Sequence, residues 1–209
     1  MKSIALKTRF CRLFLLFLTG SLTAQHADNL IFNASFEAGT PGFASLPFTW
    51  QNCGDPNESA PDLHGRNTFH FNVRAEPAAG DQYVGMVVRD NNTQECLIHN
   101  FLIPLDSGRY RLRLALAKPD NLESLSRLTN QLANYNFPVK LQILMRTGFE
   151  EVELWAETPV VDHAEWRYYE VDLETDRRVL GLAFIPMYTF DRAYNGSILL
   201  DDLSLMRQE

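Results

Sequence analysis

The feature that most constrains the fold is a succession of short segments in which apolar and polar residues alternate. In the clearest one, Gly108 to Ala117, a tyrosine and three leucines alternate with three arginines. A period of two residues is typical of a β-strand with one buried face and one solvated face. Roughly ten such segments are separated by turns rich in Gly, Pro, Asn and Asp. The pattern predicts an all-β fold, a two-sheet antiparallel β-sandwich of the jelly-roll kind.

One stretch, residues 119–137, departs from this alternation. Its leucines, at 122, 125, 128 and 132, recur at intervals of three or four residues. This spacing places apolar side chains on one side of a helix. We therefore expect one short helical excursion near residues 119–137.

Residues 1–24 are predicted to be a cleaved secretory signal peptide. Four basic residues and no acid lie in this segment, and an apolar run follows them and ends near Ala24. The run is shorter than the roughly 20 residues that a membrane span needs. An uncleaved N-terminal anchor is the alternative. We expect one domain over residues 25–209, located in the periplasm or outside the cell.

The charge of the chain limits its partners. Removing four positive charges and no negative ones with the signal peptide takes the formal net charge from -7 to -11. So acidic a protein is a poor candidate for binding nucleic acid or anionic lipid. No transmembrane segment is predicted in the mature chain. Because Glu209 directly follows the last predicted strand, no anchoring domain is expected, and the periplasm is slightly preferred over the medium.

Two cysteines, Cys53 and Cys96, follow the signal peptide. In an oxidising compartment we expect them to pair, and closing that loop would add roughly 4 kcal/mol of stability on the chain-entropy model. Free thiols stay an alternative, because the sequence does not bring the two within reach. Residues 53–67 are rich in Asn, Asp, Pro and Gly, which predicts a long surface loop and a place to look for function.

The last predicted strand, Ser197 to Leu205, holds a carboxylate among leucines. A period of two puts Asp201 on the same face as three of them. A buried carboxylate needs compensation, so a cation or a dense set of donors is expected beside it. The segment from Asn29 to Glu37 reads as a first strand that ends on an acid. We expect these two terminal strands to lie close together.

Several motifs stand in the order found in one known family. The opening Asn29-Leu30-Ile31-Phe32-Asn33-Ala34-Ser35-Phe36-Glu37 resembles an N-L-x-x-N-x-x-F-E start, and Leu199 to Leu205 resembles a closing I-D-D-V-S-L strand. Trp166-Arg167-Tyr168-Tyr169 resembles a W-x-x-Y strand opening. Together they resemble carbohydrate-binding-module-like jelly rolls of the galactose-binding-like superfamily. The segment from Pro77 to Met86 is similar to secreted and envelope proteins of the Bacteroidetes type.

The resemblance implies a structural calcium where the first and last strands meet. The matching positions are Glu37 and Asp201, whose oxygens suit calcium together with backbone carbonyls. The alternative is that Asp201 only hydrogen-bonds a turn and that Glu37 is solvated.

The resemblance also implies sugar recognition, because sugar rings stack on aromatic side chains while hydroxyl groups need donors and acceptors. Alternation leaves Trp155, Trp166 and Tyr168 off the predicted core faces, so these three are the candidate ligand-binding residues. A structural role for Trp166 is the alternative.

The sequence contains no Gly-x-Ser-x-Gly elbow, no His-Glu-x-x-His pair and no phosphate-binding loop. We therefore predict no catalytic residues. The expected function is a secreted, non-catalytic binding module that recognises carbohydrate or a glycan-bearing surface and holds a structural calcium. One alternative is a cell-envelope structural or protein-interaction protein on the same fold. A small polysaccharide-active enzyme is a further alternative.

Overall fold

The structure is a computed structural model, which describes residues 29–68, 70–149 and 151–209. The predicted signal peptide lies outside the described residues. The strands are β1 Trp50–Asn52, β2 Asp62–Gly65, β3 Gln82–Val88, β4 Leu97–Leu105, β5 Gly108–Ala117, β6 Glu123–Leu125, β7 Leu132–Asn134, β8 Lys140–Arg146, β9 Val152–Glu157, β10 Arg167–Thr175, β11 Val179–Met187 and β12 Gly196–Arg207. A single 3-10 turn, His70–Asn72, is the helical element of the described residues. None of their helices is long and apolar enough to cross a membrane.

The strands form two five-stranded antiparallel sheets and one small hairpin. Sheet I has the order β1-β4-β11-β8-β9, and sheet II has the order β10-β5-β12-β3-β2. Strands β6 and β7 form the hairpin. The predicted all-β sandwich is confirmed.

The core lies between the two sheets and follows the predicted alternation. In β5, Leu112, Leu114 and Leu116 are fully buried against apolar residues of sheet I such as Leu141 and Phe184. The arginines of β5 face away from the core, as expected. One of them, Arg111, pairs with Asp172 of β10 across the strands at 2.8 Å. Such an exposed pair adds little stability, because water screens it.

The predicted helix near residues 119–137 is wrong, because this stretch forms the β6–β7 hairpin. In its turn, Ser126 N–H donates to Gln131 O at 2.9 Å. Asn130 has a φ of 56°, in the left-handed region that asparagine adopts more readily than most residues. The leucines do not make one buried face: Leu122 is buried, whereas Leu128 is 69% exposed. The leucines therefore have the spacing of a helix, but they do not form the continuous buried face that would stabilise one.

The first segment is close to the last strand, as predicted, but it is not a strand. Leu30 N–H donates to Leu205 O and Leu203 N–H donates to Ala34 O, both at 3.0 Å. The chain turns in this segment, with Asn33 and Phe36 at positive φ. The motif at the start of the chain thus encodes a compact turn beside β12.

Strand β12 contains a bulge that changes which residues face the core. Its pairing with β5 shifts between Asp201 and Ser204, and Asp202 has a φ of 45°. Leu203 and Leu205 belong to the core, whereas Asp201 faces away from it. The prediction that Asp201 shares its face with these leucines is wrong, because the extra residue of a bulge reverses the alternation.

The face of sheet II that points away from sheet I, here called the outer face, is partly covered. A second apolar cluster joins Tyr83 and Leu199 of this face to residues of two covering segments. One segment surrounds Val73, and the other is the β6–β7 hairpin with Leu122 and Tyr135. Pockets remain between these covering segments and the sheet, and the candidate site lies in them.

Candidate functional site

A pocket of about 390 Å³ lies between the outer face of sheet II and the β6–β7 hairpin. Its volume falls within the range of about 300–1,000 Å³ that is common for small-molecule sites. The lining residues are Phe43, Ser59, Asp62, Phe71, Val87, Arg89, Glu95, Leu122, Glu123, Ser124, Leu125, Arg127, Leu132 and Tyr135.

The walls of the pocket are aromatic and aliphatic. The rings of Phe43 and Phe71 pack edge to face, with their centroids 5.5 Å apart. Phe71 has a φ of 52° and Ala44, next to Phe43, has a φ of 47°. Residues other than glycine rarely adopt this conformation, and such residues concentrate at ligand sites. The backbone thus holds both rings at the pocket in a conformation that costs energy.

Asp62 of β2 contributes a partly satisfied carboxylate to the floor. Its Oδ1 accepts the N–H of Ala44 at 2.8 Å. Its Oδ2 has no hydrogen-bond partner in the part of the chain that the structure describes. Burial raises the pKa of Asp62 to about 6, and the Ala44 donor opposes the shift. This carboxylate therefore titrates near neutral pH and keeps an acceptor for a ligand.

Arg89 and Glu95 form a buried ion pair beside Asp62. All the acceptor atoms of Glu95 are engaged: Arg89 and Ser59 donate to Oε1, and Val87 N–H donates to Oε2. Arg89 also contacts Glu58 at 3.4 Å, yet its Nη1 has no hydrogen-bond partner among the described residues. An unsatisfied buried donor costs about 1–3 kcal/mol, which a ligand acceptor would recover.

Ion pairs and hydrogen bonds hold the hairpin over the pocket. Arg127 Nε donates to Glu58 Oε2 at 2.8 Å, and the backbone N–H of Arg127 donates to Asp90 Oδ1 at 3.0 Å. The hydroxyl of Ser126 donates to the other oxygen of Asp90. Two acids thus connect the hairpin turn to sheet II and fix the roof of the pocket.

Cys53 and Cys96 are joined by a disulfide bond, with their Cα atoms 4.8 Å apart. The predicted bridge is confirmed. The backbone N–H of Cys53 also donates to Cys96 O at 3.0 Å. The bond anchors the loop that follows β1, and this loop brings Ser59 to the pocket and Glu58 to Arg89 and Arg127.

The structure does not bring the three predicted ligand-binding aromatics together. Trp166 and Tyr168 lie at one end of sheet II, whereas Trp155 lies in β9 of sheet I. Trp155 packs edge to face on Tyr110 at 6.4 Å and donates its indole N–H to Glu174 O. Trp155 therefore closes an edge of the sandwich.

Trp166 and Tyr168 have different surroundings. Trp166 donates its indole N–H to Glu76 O at 2.6 Å and lines a second pocket. Tyr168 lies under the guanidinium of Arg113, 3.5 Å from the ring centre, and its hydroxyl donates to Asp202 Oδ2 at 2.8 Å. Asp202 is half-buried by these contacts.

The predicted calcium ligands Glu37 and Asp201 both bind backbone N–H groups of one turn. Asp201 Oδ2 accepts from Ala78 at 2.8 Å and Ala79 at 3.0 Å, and its Oδ1 accepts from Asp202. Burial raises the pKa of Asp201 to about 7, against the effect of these donors.

Glu37 Oε1 accepts from the N–H groups of Asp81 and Gln82 at 2.8 and 3.1 Å. These N–H donors compensate both carboxylates without a cation. No group of three or more His, Cys, Asp or Glu side chains with metal-site geometry occurs among the described residues. Of the two expectations for Asp201, a cation or a dense set of donors, the structure contains the donors. The calcium ion stays a prediction.

Sequence reasoning missed the pocket residues, although it indicated their region. The loop from Cys53 to Asn67 was expected to be functional, and it contributes Ser59 and Asp62. Part of it, Asp62–Gly65, is an edge strand instead of a loop. The sequence contained one further signal. Arg89 is a charged residue directly after the apolar strand β3, and a buried ion pair explains a charge at that position.

No family model matches the chain, and comparison with curated proteins gave no significant match. Among solved structures, the chain is similar to TmCBM61 in complex with β-1,4-galactotriose, with a TM-score of 0.50, 16% identity and coverage of 86% of this chain and 99% of the other. It is similar to the K2 cleaved adhesin domain of Lys-gingipain, with a TM-score of 0.55, 16% identity and coverage of 82% and 96%. It is also similar to a cyclase from Fischerella sp. TAU, with a TM-score of 0.51, 13% identity and coverage of 87% and 98%. The chain thus has the jelly-roll fold of carbohydrate-binding modules, which proteins of several activities share.

Proposed function

We propose that this protein is a non-catalytic binding module that recognises carbohydrate in the pocket beneath the hairpin. The observation that supports this most is the pairing of aromatic walls with two polar groups: Asp62, for which the described residues supply a donor only to Oδ1, and Arg89, whose Nη1 has no hydrogen-bond partner among them. Phe43 and Phe71 offer apolar surface to the C–H face of a sugar ring. Asp62 offers a free acceptor, and Arg89 offers a free donor.

A hydroxyl group suits this floor because it donates and accepts at once. It can donate to Asp62 Oδ2 and accept from Arg89 Nη1. A ligand with several hydroxyl groups and an apolar ring face fits both the floor and the walls. The solved complex of TmCBM61 with β-1,4-galactotriose has the same fold, and this supports the ligand class.

Secretion is part of the proposal. The disulfide between Cys53 and Cys96 fits an oxidising compartment, and the basic and apolar pattern of residues 1–24 fits a signal peptide. We propose the periplasm or the exterior of the cell as the location. An envelope protein is the alternative partner.

One observation favours a second candidate function, a glycan-active enzyme. Asp62 and Glu95 both line the pocket, and burial raises the pKa of each. Catalysis on a glycosidic bond uses two carboxyl groups on either side of that bond. Because both oxygens of Glu95 already accept hydrogen bonds, Asp62 is the acid that a ligand meets, and binding is the better proposal.

The test is binding of the purified protein to an array of glycans, followed by calorimetry with any glycan that gives a signal. Asp62→Asn and Phe43→Ala are expected to abolish the signal, while Asp172→Asn, an exposed acid on the same sheet, leaves it unchanged. Release of reducing ends from a bound glycan would favour the enzyme. A blank array from folded protein would reject the carbohydrate and turn attention to the exposed leucines of the hairpin as a protein contact.

A further inference from the structure

A second pocket, of about 470 Å³, lies on the outer face of sheet II next to the first one. It is lined by Asn72, Arg74, Ala75, Glu76, Lys118, Asp120, Asn121, Ala164 and Trp166. Charged and amide side chains dominate the lining, in contrast to the aromatic first pocket. Trp166 is its one aromatic side chain among the described residues.

The structure fixes the plane of the Trp166 ring. Its N–H donates to Glu76 O at 2.6 Å, and its ring meets Tyr83 edge to face with centroids 5.7 Å apart. Around it, Asn121 and Lys118 supply donors, and Asp120 supplies acceptors. A fixed aromatic plane with amide and charged groups beside it is suited to stacking and hydrogen-bonding a sugar unit.

The two pockets lie on opposite sides of one narrow crossing of the chain. Phe71 lines the first pocket, and the next residue, Asn72, lines the second. In the same way, Asn121 lines the second pocket and Leu122 lines the first. The crossing is closed by a hydrogen bond of 3.1 Å from Asn72 Nδ2 to Glu123 Oε2.

We infer that the two pockets are consecutive subsites for one linear oligosaccharide, which passes over the Asn72–Glu123 crossing and stacks one of its units on Trp166. The inference rests on the proposed function, because the first pocket must bind sugar for the second to extend it. It adds a ligand class, an unbranched chain of several units instead of a single terminal sugar.

The experiment is titration calorimetry of the purified protein with β-1,4-linked galacto-, gluco- and xylo-oligosaccharides of increasing length. Affinity is expected to rise with chain length until both pockets are filled, and then to level off. Trp166→Ala is expected to lower the affinity for the long chains by roughly tenfold, the contribution of one aromatic stack. The same variant leaves the affinity for the shortest bound sugar unchanged.

Two further variants separate binding from folding. Asn121→Ala removes an exposed amide of the second pocket that makes no hydrogen bond with other described residues. This variant should therefore lower the affinity for long oligosaccharides only and leave Tm unchanged. Trp155→Ala, on the other sheet, is the matched control and should leave all affinities unchanged. Affinity independent of chain length in the parent protein and both pocket variants would overturn the inference and leave the proposed function standing. Failure of every sugar to bind would overturn both.

Discussion

Asp201 is fully buried and Asp62 is partly buried on the same outer face of sheet II, and burial raises the pKa of both, to about 7 and about 6. They differ in their partners. Asp201 accepts three backbone N–H groups, from Ala78, Ala79 and Asp202, and it lines neither of the two pockets described above. Asp62 accepts one, from Ala44, and lines the first pocket.

The comparison teaches that a raised pKa does not by itself identify a functional carboxylate. Desolvation acts on both side chains alike. The two differ in how many hydrogen bonds the protein donates to their carboxylate oxygens. The donors around Asp201 complete a structural turn, whereas Asp62 lines the first pocket and its Oδ2 has no donor from the described residues, which is why we propose it as the ligand contact.

The largest effect is expected from Asp201→Ala. The change leaves buried N–H groups without an acceptor, at about 1–3 kcal/mol each, and we expect a loss of about 3 kcal/mol in the free energy of unfolding. For a chain of this size that corresponds to a fall of roughly 10 °C in Tm, measurable by calorimetry. Asp202→Asn is the control, because it keeps the bulge and an acceptor for Tyr168. Equal Tm values for the two variants would show that the donors do not stabilise the fold through Asp201.

Asp62→Asn should lower the affinity for a ligand without lowering the stability of the fold. Loss of one charge-assisted hydrogen bond costs about 1.5–3 kcal/mol, so the affinity for a bound sugar should fall roughly 10- to 100-fold. The Tm should stay equal or rise, because a buried carboxylate is removed. Calorimetric titration and thermal unfolding of the same sample check both. A large drop in Tm with unchanged affinity would place Asp62 among the structural acids.

The pH dependence of binding sharpens the contrast further. The carboxylate of Asp62 is the better acceptor when ionised, and its pKa is raised to about 6. Protonation therefore weakens binding as pH falls through 6, and affinity should decrease roughly tenfold between pH 7 and pH 5. In Asp62→Asn this dependence should disappear. Affinity that is constant over this range in the parent protein would contradict a role for ionised Asp62.

The smallest effect is expected from calcium. Because backbone N–H groups already compensate Glu37 and Asp201, we expect Tm to be the same in calcium and in a chelator. A calcium ion at this position, as the resemblance implies, would instead raise Tm, and the increase would be absent in Asp201→Ala. That outcome would break the comparison, because Asp201 would then bind a ligand too.

Alternation was sufficient to predict the sandwich, because a period of two is a local property of each strand. It failed where the backbone departs from regularity: the bulge at Asp202 reverses the faces of β12, and the leucines near residue 125 have helical spacing within a hairpin. The disulfide was predictable from the cysteine count and the expected compartment.

The pocket was harder to predict, because its floor depends on tertiary packing. Asp62, Arg89 and Phe43 come from separate segments, and no spacing in the sequence relates them. Trp166 lines the second pocket, but its neighbours there, Asn72 and Asn121, lie far apart in the chain. Only the folded sheet brings these residues together.

The disulfide has a mechanical consequence for the first pocket. The ring closed by Cys53 and Cys96, which are 43 residues apart, contains Asp62, Arg89 and Glu95. If force pulls on the two chain ends, the ring cannot be extended, and the unfolded contour length is shorter by about 150 Å. The floor of the first pocket is therefore shielded from tension along the backbone, whereas the hairpin that forms its roof bears it.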